Sequence, residues 1–245
     1  MKKSKSIMGM PVVIEISDSN AKQEDFNEVF AYFHYIDKKF STYIKDSEVS
    51  LLNRKEIRIS EISDDFKKIL KLSEDTKKVT NGYFNIEING KIDPSGLVKG
   101  YAIWEGAKIL LKKGYKNFYV EIAGDIQTIG KNKKGNEWMV GIQNPFNPKE
   151  IVKVVKVSGE GVATSGNYQR GVHIINPKNN QWANGIASIT VIGPNIFEAD
   201  RFATAAFAMG EKGINFISSL KGFAGYMIKN DGTAVLTKDF KIFLI

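Results

Sequence analysis

The order in which apolar patterns change along the chain constrains the fold more than any single motif. Residues 22–40 (KQEDFNEVFAYFHYIDKKF) place Phe26, Val29, Phe30, Phe33 and Ile36 at helical spacing. Residues 63–79, opening at Ser63-Asp64, repeat that period with Phe66, Ile69, Leu70 and Leu72. From 126 to 193 the period shortens. EWMVGI, IVKVVKV, GVATS, VHIIN and ASITVI read as short strands punctuated by Gly, Pro and Asn. Helical spacing returns at 196–209 up to Gly210, and again near 213–219, before FAGYMIK, TAVLT and KIFLI close the chain as strands. A strand at 11–17, a loop at 41–53 entering a short helix capped by Asp46 or Ser47, and a turn at Asn81-Gly82 fill the first half. A glycine-bearing turn feeding a helix at 91–112 and a strand at 117–123 follow. Blocks of strands and blocks of helices without strict alternation predict an α+β fold of mixed sheets with packed helices. No linker, repeat or low-complexity tract divides the 245 residues, so one domain over 1–245 is expected.

Composition narrows the chemistry open to such a fold. The absence of cysteine removes disulfides, thiolate metal sites and cysteine nucleophiles together. With only His34 and His173 there is no histidine cage, so a bound metal should be a hard cation held by oxygen. The net charge of +8 raises nucleic acid as a partner, but the lysines are scattered in pairs such as Lys38-Lys39 and Lys112-Lys113 and mostly alternate with acids. They read as a solvated surface, and no nucleic-acid partner is expected. The start, MKKSKSIMGM, is basic, yet the apolar run after it (VVIEI) is too short for an export signal, and without cysteine there is no lipobox. No stretch approaches a membrane span, and a cytoplasmic location is expected.

Three segments carry candidate chemistry. Asp93-Pro94-Ser95-Gly96-Leu97-Val98-Lys99-Gly100 is a turn entering a helix, where unpaired N–H groups and Lys99 would favour an anion. The same residues also suit a plain capped helix, with Asp93 or Ser95 as cap and Gly100 for close packing. Asp200 and Thr204 stand four apart and share one helix face. Amid small apolar neighbours they would either share a hard cation such as Mg2+, or find partners in a lysine and in the Asp200 carbonyl. Gly161 to Tyr168 offers small hydroxyl residues, Thr164 and Ser165, for a ligand wall, followed by His173, which is either a core histidine or a base.

Taken in order, these segments resemble the FAD:protein FMN transferase (ApbE) family, in a compact subgroup. The matching motifs are Met8-Gly9-Met10, Phe40-Ser41-Thr42-Tyr43 with SEVSLLN at 47–53, NGYFN at 81–85, DPSGLVKGYA at 93–102 and Ala123-Gly124-Asp125. VGIQNP at 140–145, VATSGNYQR at 162–170, HIINP at 173–177 and ADRFATAAFAMG at 199–210 continue the series. The resemblance implies a T-fold-like arrangement with an FAD cleft between the layers. It also implies a magnesium-dependent enzyme that splits FAD as substrate, attaches FMN to a Thr or Ser of an acceptor protein and releases AMP. Carried onto this sequence, Asp200, Thr204 and the Gly96 carbonyl would hold Mg2+. Asp93 would meet the adenine and Lys99 the adenosine or phosphate side. Met8, Tyr43, Tyr83, Phe84 and Asn85 would line the flavin nucleotide, with Thr164, Ser165 and His173 beside the diphosphate. His173 is the first candidate for the catalytic base and Asp200 the second. Met10, Asn85 and Asn176 depart from the family's usual Thr, Asp and Asp, and the insertion before the DPSGLVKG motif is missing. A metal-dependent FAD pyrophosphatase and a non-catalytic FAD-binding protein are the alternatives.

Overall fold

A computed structural model describes residues 1–167, 171 and 174–245. The first half runs β1 (Lys2–Ile7), β2 (Met10–Ile16), α1 (Gln23–Phe40), α2 (Glu48–Asn53), α3 (Asp64–Val79), β3 (Glu87–Ile88), β4 (Lys91–Ile92) and α4 (Ser95–Lys112). Then come β5 (Phe118–Ile122), β6 (Asp125–Ile129), β7 (Trp138–Asn144), β8 (Asn147–Val157), β9 (Gly161–Gly166), β10 (Ile175–Asn176) and β11 (Gln181–Trp182). The chain ends with β12 (Ser188–Gly193), α5 (Ile196–Ala208), α6 (Gly213–Ser219), β13 (Ala224–Ile228) and β14 (Ala234–Leu236).

Eight strands form one sheet in the order β1-β2-β5-β6-β9-β12-β13-β14, antiparallel throughout. Because side chains alternate across a strand, the inner strands feed two cores. Phe118, Val120 and Ile122 of β5 join the helices on one face, while Tyr119 between them joins the other. The helix face packs Phe26, Phe30 and Phe33 of α1 with Leu97 of α4, Phe207 of α5 and Ile217 of α6. Each of those phenylalanines is essentially fully buried and stabilises the packing by roughly 1.5–3 kcal/mol. The opposite face is covered by the β7–β8 hairpin, through Trp138, Ile142, Val155 and Val157, and by Phe240.

The α+β class agrees with expectation, and Ser47 rather than Asp46 caps α2, its hydroxyl accepting the Ser50 N–H at 3.1 Å. Three segments differ from the sequence reading. The basic start is a strand: β1 pairs with β2 through a Met8-Gly9 turn in which both residues have positive φ (58° and 67°), the geometry of a tight hairpin. Its lysines suit an edge strand, where charge discourages pairing with another chain. β6 (DIQTI) escaped the apolar pattern because Asp125, Gln127 and Thr128 are buried by hydrogen bonding. The terminal KIFLI, expected as a strand, lies in a 3-10 turn over Lys238–Phe243 that buries Phe240, and only Leu244 makes a single bridge, to Val155. Among the described residues, no helix is long and apolar enough to cross a membrane.

Candidate functional site

The site is built where α4 and α5 cross. The start of α5 is fixed first. Asn195 accepts the Glu198 N–H at 3.0 Å, and the buried Gln127 of β6 accepts the Ile196 N–H at 2.8 Å. Gln127 in turn donates to the Gly159 and Thr128 carbonyls at 2.8 and 2.9 Å, so its amide is fully used. Gly161 is required beneath this contact, because a Cβ there would lie 2.1 Å from the Ile196 nitrogen. Arg201 ties the outer side of α5 to Glu198 and to the Thr76 hydroxyl of α3, which leaves Asp200 and Thr204 facing α4.

On α4 the residues opposite are glycines at the same spacing. Gly100 N–H donates to Asp200 Oδ2 at 2.8 Å, and the Thr204 hydroxyl points at the Gly96 carbonyl at 3.5 Å. Two i,i+4 pairs therefore meet in antiparallel fashion, Gly96 with Thr204 and Gly100 with Asp200. The approach depends on glycine: a Cβ on Gly100 would sit 2.6 Å from the Asp200 Cβ, and one on Gly96 would sit 3.2 Å from Thr204 Cγ2. Thr204 thus bonds across to α4 and not back to the Asp200 carbonyl. Asp200 does find a lysine, with Lys99 Nζ 3.7 Å from Oδ1.

Asp125 completes this centre. Lys99 Nζ lies 2.5 Å from Asp125 Oδ2, while Asp125 Oδ1 accepts the Thr164 N–H at 3.1 Å. Ala123 and Gly124 turn β5 into β6 with φ of 49° and 89°, and that tight reversal aims Asp125 under α4. Ala123-Gly124-Asp125 is among the motifs that carry the family resemblance, but the sequence alone assigns Asp125 no role. Asp200 is 3% exposed, and burial pushes its carboxyl up to about 7. Lys99 pulls it down, the neighbouring Asp125 pushes it up further, and the Gly100 N–H favours its charged form.

The donor set suits a hard cation. One carboxylate, one hydroxyl and one carbonyl lie at the N-terminal end of α4, and all are oxygen. Among the described residues no three His, Cys, Asp or Glu cluster as metal ligands. A cation at Asp200, Thr204 and Gly96 would therefore take much of its remaining ligation from the phosphates of a bound nucleotide.

The other expected residues divide between two adjoining depressions, each of about 110 Å³, that share Ser95 and Lys99. One holds Tyr83, Phe84, Asn85, Asp93, Thr164 and Ser165 with the cation set. The other holds Met8 and Tyr43, and Tyr43 is 97% exposed. Within them Asp93 accepts the Ser95 N–H at 3.0 Å just ahead of α4, whose N-cap is Pro94 and not the expected Asp93 or Ser95. Asn85 closes a local turn by bonding Glu87 N–H and carbonyl, and the Thr164 hydroxyl shares a hydrogen bond with Thr190 at 2.8 Å. Asn53 holds the segment before Asp93 through paired bonds of 2.8 Å to the Ile92 N–H and carbonyl. His173 lies outside the described residues.

Fold and cleft together define an α+β protein with an oxygen-lined cleft where α4 and α5 cross. The ApbE family model matches residues 8–90 and 88–227, and the chain belongs to the ApbE family. The FAD:protein FMN transferase of Escherichia coli K12 is 30% identical over 167 residues, covering 63% of this chain and 48% of that protein. The chain thus spans about half the length of such curated relatives. The Haemophilus influenzae protein of the same name is 25% identical over 90% of this chain and 83% of its own. Among solved structures, the ApbE protein of Thermotoga maritima superposes with a TM-score of 0.91 at 21% identity, covering 100% of this chain and 99% of that one. The flavin transferase ApbE of Vibrio cholerae gives 0.85 at 24% identity with the same coverage. These likenesses establish the fold expected from the resemblance.

Proposed function

We propose that this chain is a divalent-cation-dependent flavin transferase. It binds FAD across the two depressions, cleaves the diphosphate and joins the FMN half through a phosphoester bond to a Thr or Ser hydroxyl of an acceptor protein. The observation that carries this reading is the antiparallel match of Asp200 and Thr204 with Gly100 and Gly96. It occurs in a family whose curated relatives are named FAD:protein FMN transferase.

In the reaction, the acceptor oxygen forms a bond to the phosphorus on the flavin side, the bond from that phosphorus to the bridging oxygen breaks, and AMP leaves with that oxygen. Magnesium held by Asp200, Thr204 and the Gly96 carbonyl would neutralise the diphosphate and ease the departure of AMP. Gly100 and Lys99 hold the Asp200 carboxylate in place, and Asp125 fixes where the Lys99 ammonium sits. Met8, Tyr43, Tyr83, Phe84 and Asn85 would bind the flavin nucleotide, Asp93 the adenine, and Thr164 and Ser165 would flank the diphosphate. His173 would take the hydroxyl proton, since a carboxylate engaged with a cation, as Asp200 would be, is the weaker base.

The test is to incubate the chain with FAD, with Mg2+ or EDTA, and with Thr-bearing acceptor proteins, following AMP release and covalent flavin by mass. Cation-dependent AMP release coupled to flavin on the acceptor is expected, and Asp200→Ala should abolish both. AMP released with flavin on no acceptor would replace transfer with FAD hydrolysis. Failure to bind FAD would end both enzyme readings.

A further inference from the structure

Beside the oxygen-lined cleft, on the other face of the sheet, runs a larger groove of about 690 Å³ between the sheet and the β7–β8 hairpin. Its floor includes Tyr119, Glu121 and Ile126 of the sheet, and its wall includes Met139 and Ile151 of the hairpin. It adjoins the cleft, since Ala123 and Thr164 line both. We infer that this groove docks an acidic, partly apolar segment of the acceptor protein and leads its hydroxyl past Thr164 to the FAD diphosphate. The inference rests on the flavin-transfer reading and names the partner surface for it.

Three observations support this occupant. First, the hairpin sends large apolar side chains in both directions. Trp138, Ile142, Val155 and Val157 fill the second core, yet Met139 is 68% exposed, Ile151 49% and Phe146, near the hairpin turn, 57%. Single exposed apolar residues are ordinary, but neighbouring ones along a groove mark an interaction surface. Met139 and Gly141 fall on one side of β7, and a Cβ on Gly141 would meet the Ile151 side chain at 3.0 Å, so Ile151 lies over Gly141.

Second, the rim is basic. The depressions that meet the groove at Met139 are lined by Lys131 and Lys156 on one side and by Lys133 and Lys134 on the other, against Glu15 and Glu137. Lys156 stands directly opposite Met139 in the hairpin register. In the floor, burial holds the Glu121 carboxyl above its ordinary value while Lys2 draws it back down. Apolar side chains flanked by lysines are complementary to a segment that mixes apolar and acidic residues. Third, the reaction requires a second substrate to reach the phosphorus of an FAD bound across the two smaller depressions, and this groove adjoins them at Ala123 and Thr164.

Fluorescein-labelled peptides of about twelve residues supply the probe, one alternating Asp with Val and Leu around a central Thr, the other with every Asp replaced by Lys. Binding to the full chain is read by anisotropy against the wild type, the double variant Lys131→Glu/Lys156→Glu and Met139→Asp, all changes outside the buried core and checked by thermal melting. The acidic peptide should bind at least ten-fold more tightly than its Lys counterpart and weaken with salt. Each variant should lose at least ten-fold in acidic-peptide affinity while FAD binding, read by flavin fluorescence, stays within two-fold. Equal binding of the two peptides, no binding of either, or unchanged affinity in the variants would overturn the groove assignment. FAD that fails to bind the wild type, with peptide selectivity intact, would instead remove the flavin-transfer reading and leave the groove as an acidic-segment site.

Discussion

Gly100→Ala probes the helix crossing on which the site depends. In an isolated helix the change would stabilise by about 1 kcal/mol, because alanine is the better helix former. Here the new Cβ would lie 2.6 Å from the Asp200 Cβ, 2.9 Å from its Oδ2 and 2.9 Å from the Ile196 carbonyl. Two of those contacts belong to a buried side chain and one to the backbone of α5, so none can swing aside. Overpacking of this kind costs roughly 1–3 kcal/mol. Separating the helices also stretches the Gly100 N–H bond to a charged acceptor, a bond worth about 1.5–3 kcal/mol. The net expectation is a loss of roughly 2–4 kcal/mol, or about 5–15 °C in Tm for a chain of this size. Urea and thermal melts measure it, and isothermal titration with Mn2+ reads whether the displaced Asp200 still binds a cation. Gly106→Ala is the control, since its Cβ meets the Phe33 ring at 2.7 Å on the same helix but away from Asp200. It should destabilise without altering cation affinity. A Gly100→Ala protein as stable as the wild type, with cation binding intact, would refute the proposed role of the crossing.

Other consequences can be checked separately. Thr204→Val keeps the side-chain shape and removes the hydroxyl aimed at Gly96; it should weaken cation affinity about ten-fold by titration calorimetry while Tm moves by only a few degrees. Asp125→Asn removes the closest partner of Lys99 and should destabilise by about 3 kcal/mol in urea melts, at the low end for a broken buried pair because Asp200 stays 3.7 Å away. Asp25 gives a pH signature: the Tyr115 hydroxyl, with Lys113 and the Lys22 N–H, holds its carboxyl below the ordinary 3.8. A depressed carboxyl contributes stability that is fully present above the unfolded value and lost as pH falls through the folded one. The stability gap between wild type and Asp25→Asn should thus be flat from pH 5 to 8 and shrink below about pH 4 in denaturant melts.

What the sequence conveyed depended on how local the cause was. The stripe of Phe26, Phe30 and Phe33 defines α1 because helix period and burial are one signal there. Asp200 and Thr204 were legible as a pair for the same reason. Their counterparts Gly96 and Gly100 read only as packing residues, because the match between two helices exists only after both have docked. Asp125 escaped altogether, since its role comes from Lys99 and Thr164, which are brought to it by different elements. β1 was obscured by its lysines, as edge strands need little apolar patterning. KIFLI misled in the opposite direction. Its run of apolar residues satisfies a strand pattern, but Phe240 is buried by a turn against Tyr226, with the rings stacked 5.4 Å apart, and no ladder forms.

The supply of site residues from 93–100, 123–125, 164–165 and 200–204 also fixes when the site can exist. A chain emerging from the ribosome in order has made α4 and β6 long before α5, and lacks both Asp200 and Thr204 until α5 itself has been synthesised. β9 joins β6 only after the β7–β8 hairpin has been made, and Gln127 waits for Ile196. Such long-range contacts form late in folding. A nucleotide or cation that depends on both helices can therefore bind only near the end of folding, and its binding then adds to the stability of the finished molecule alone.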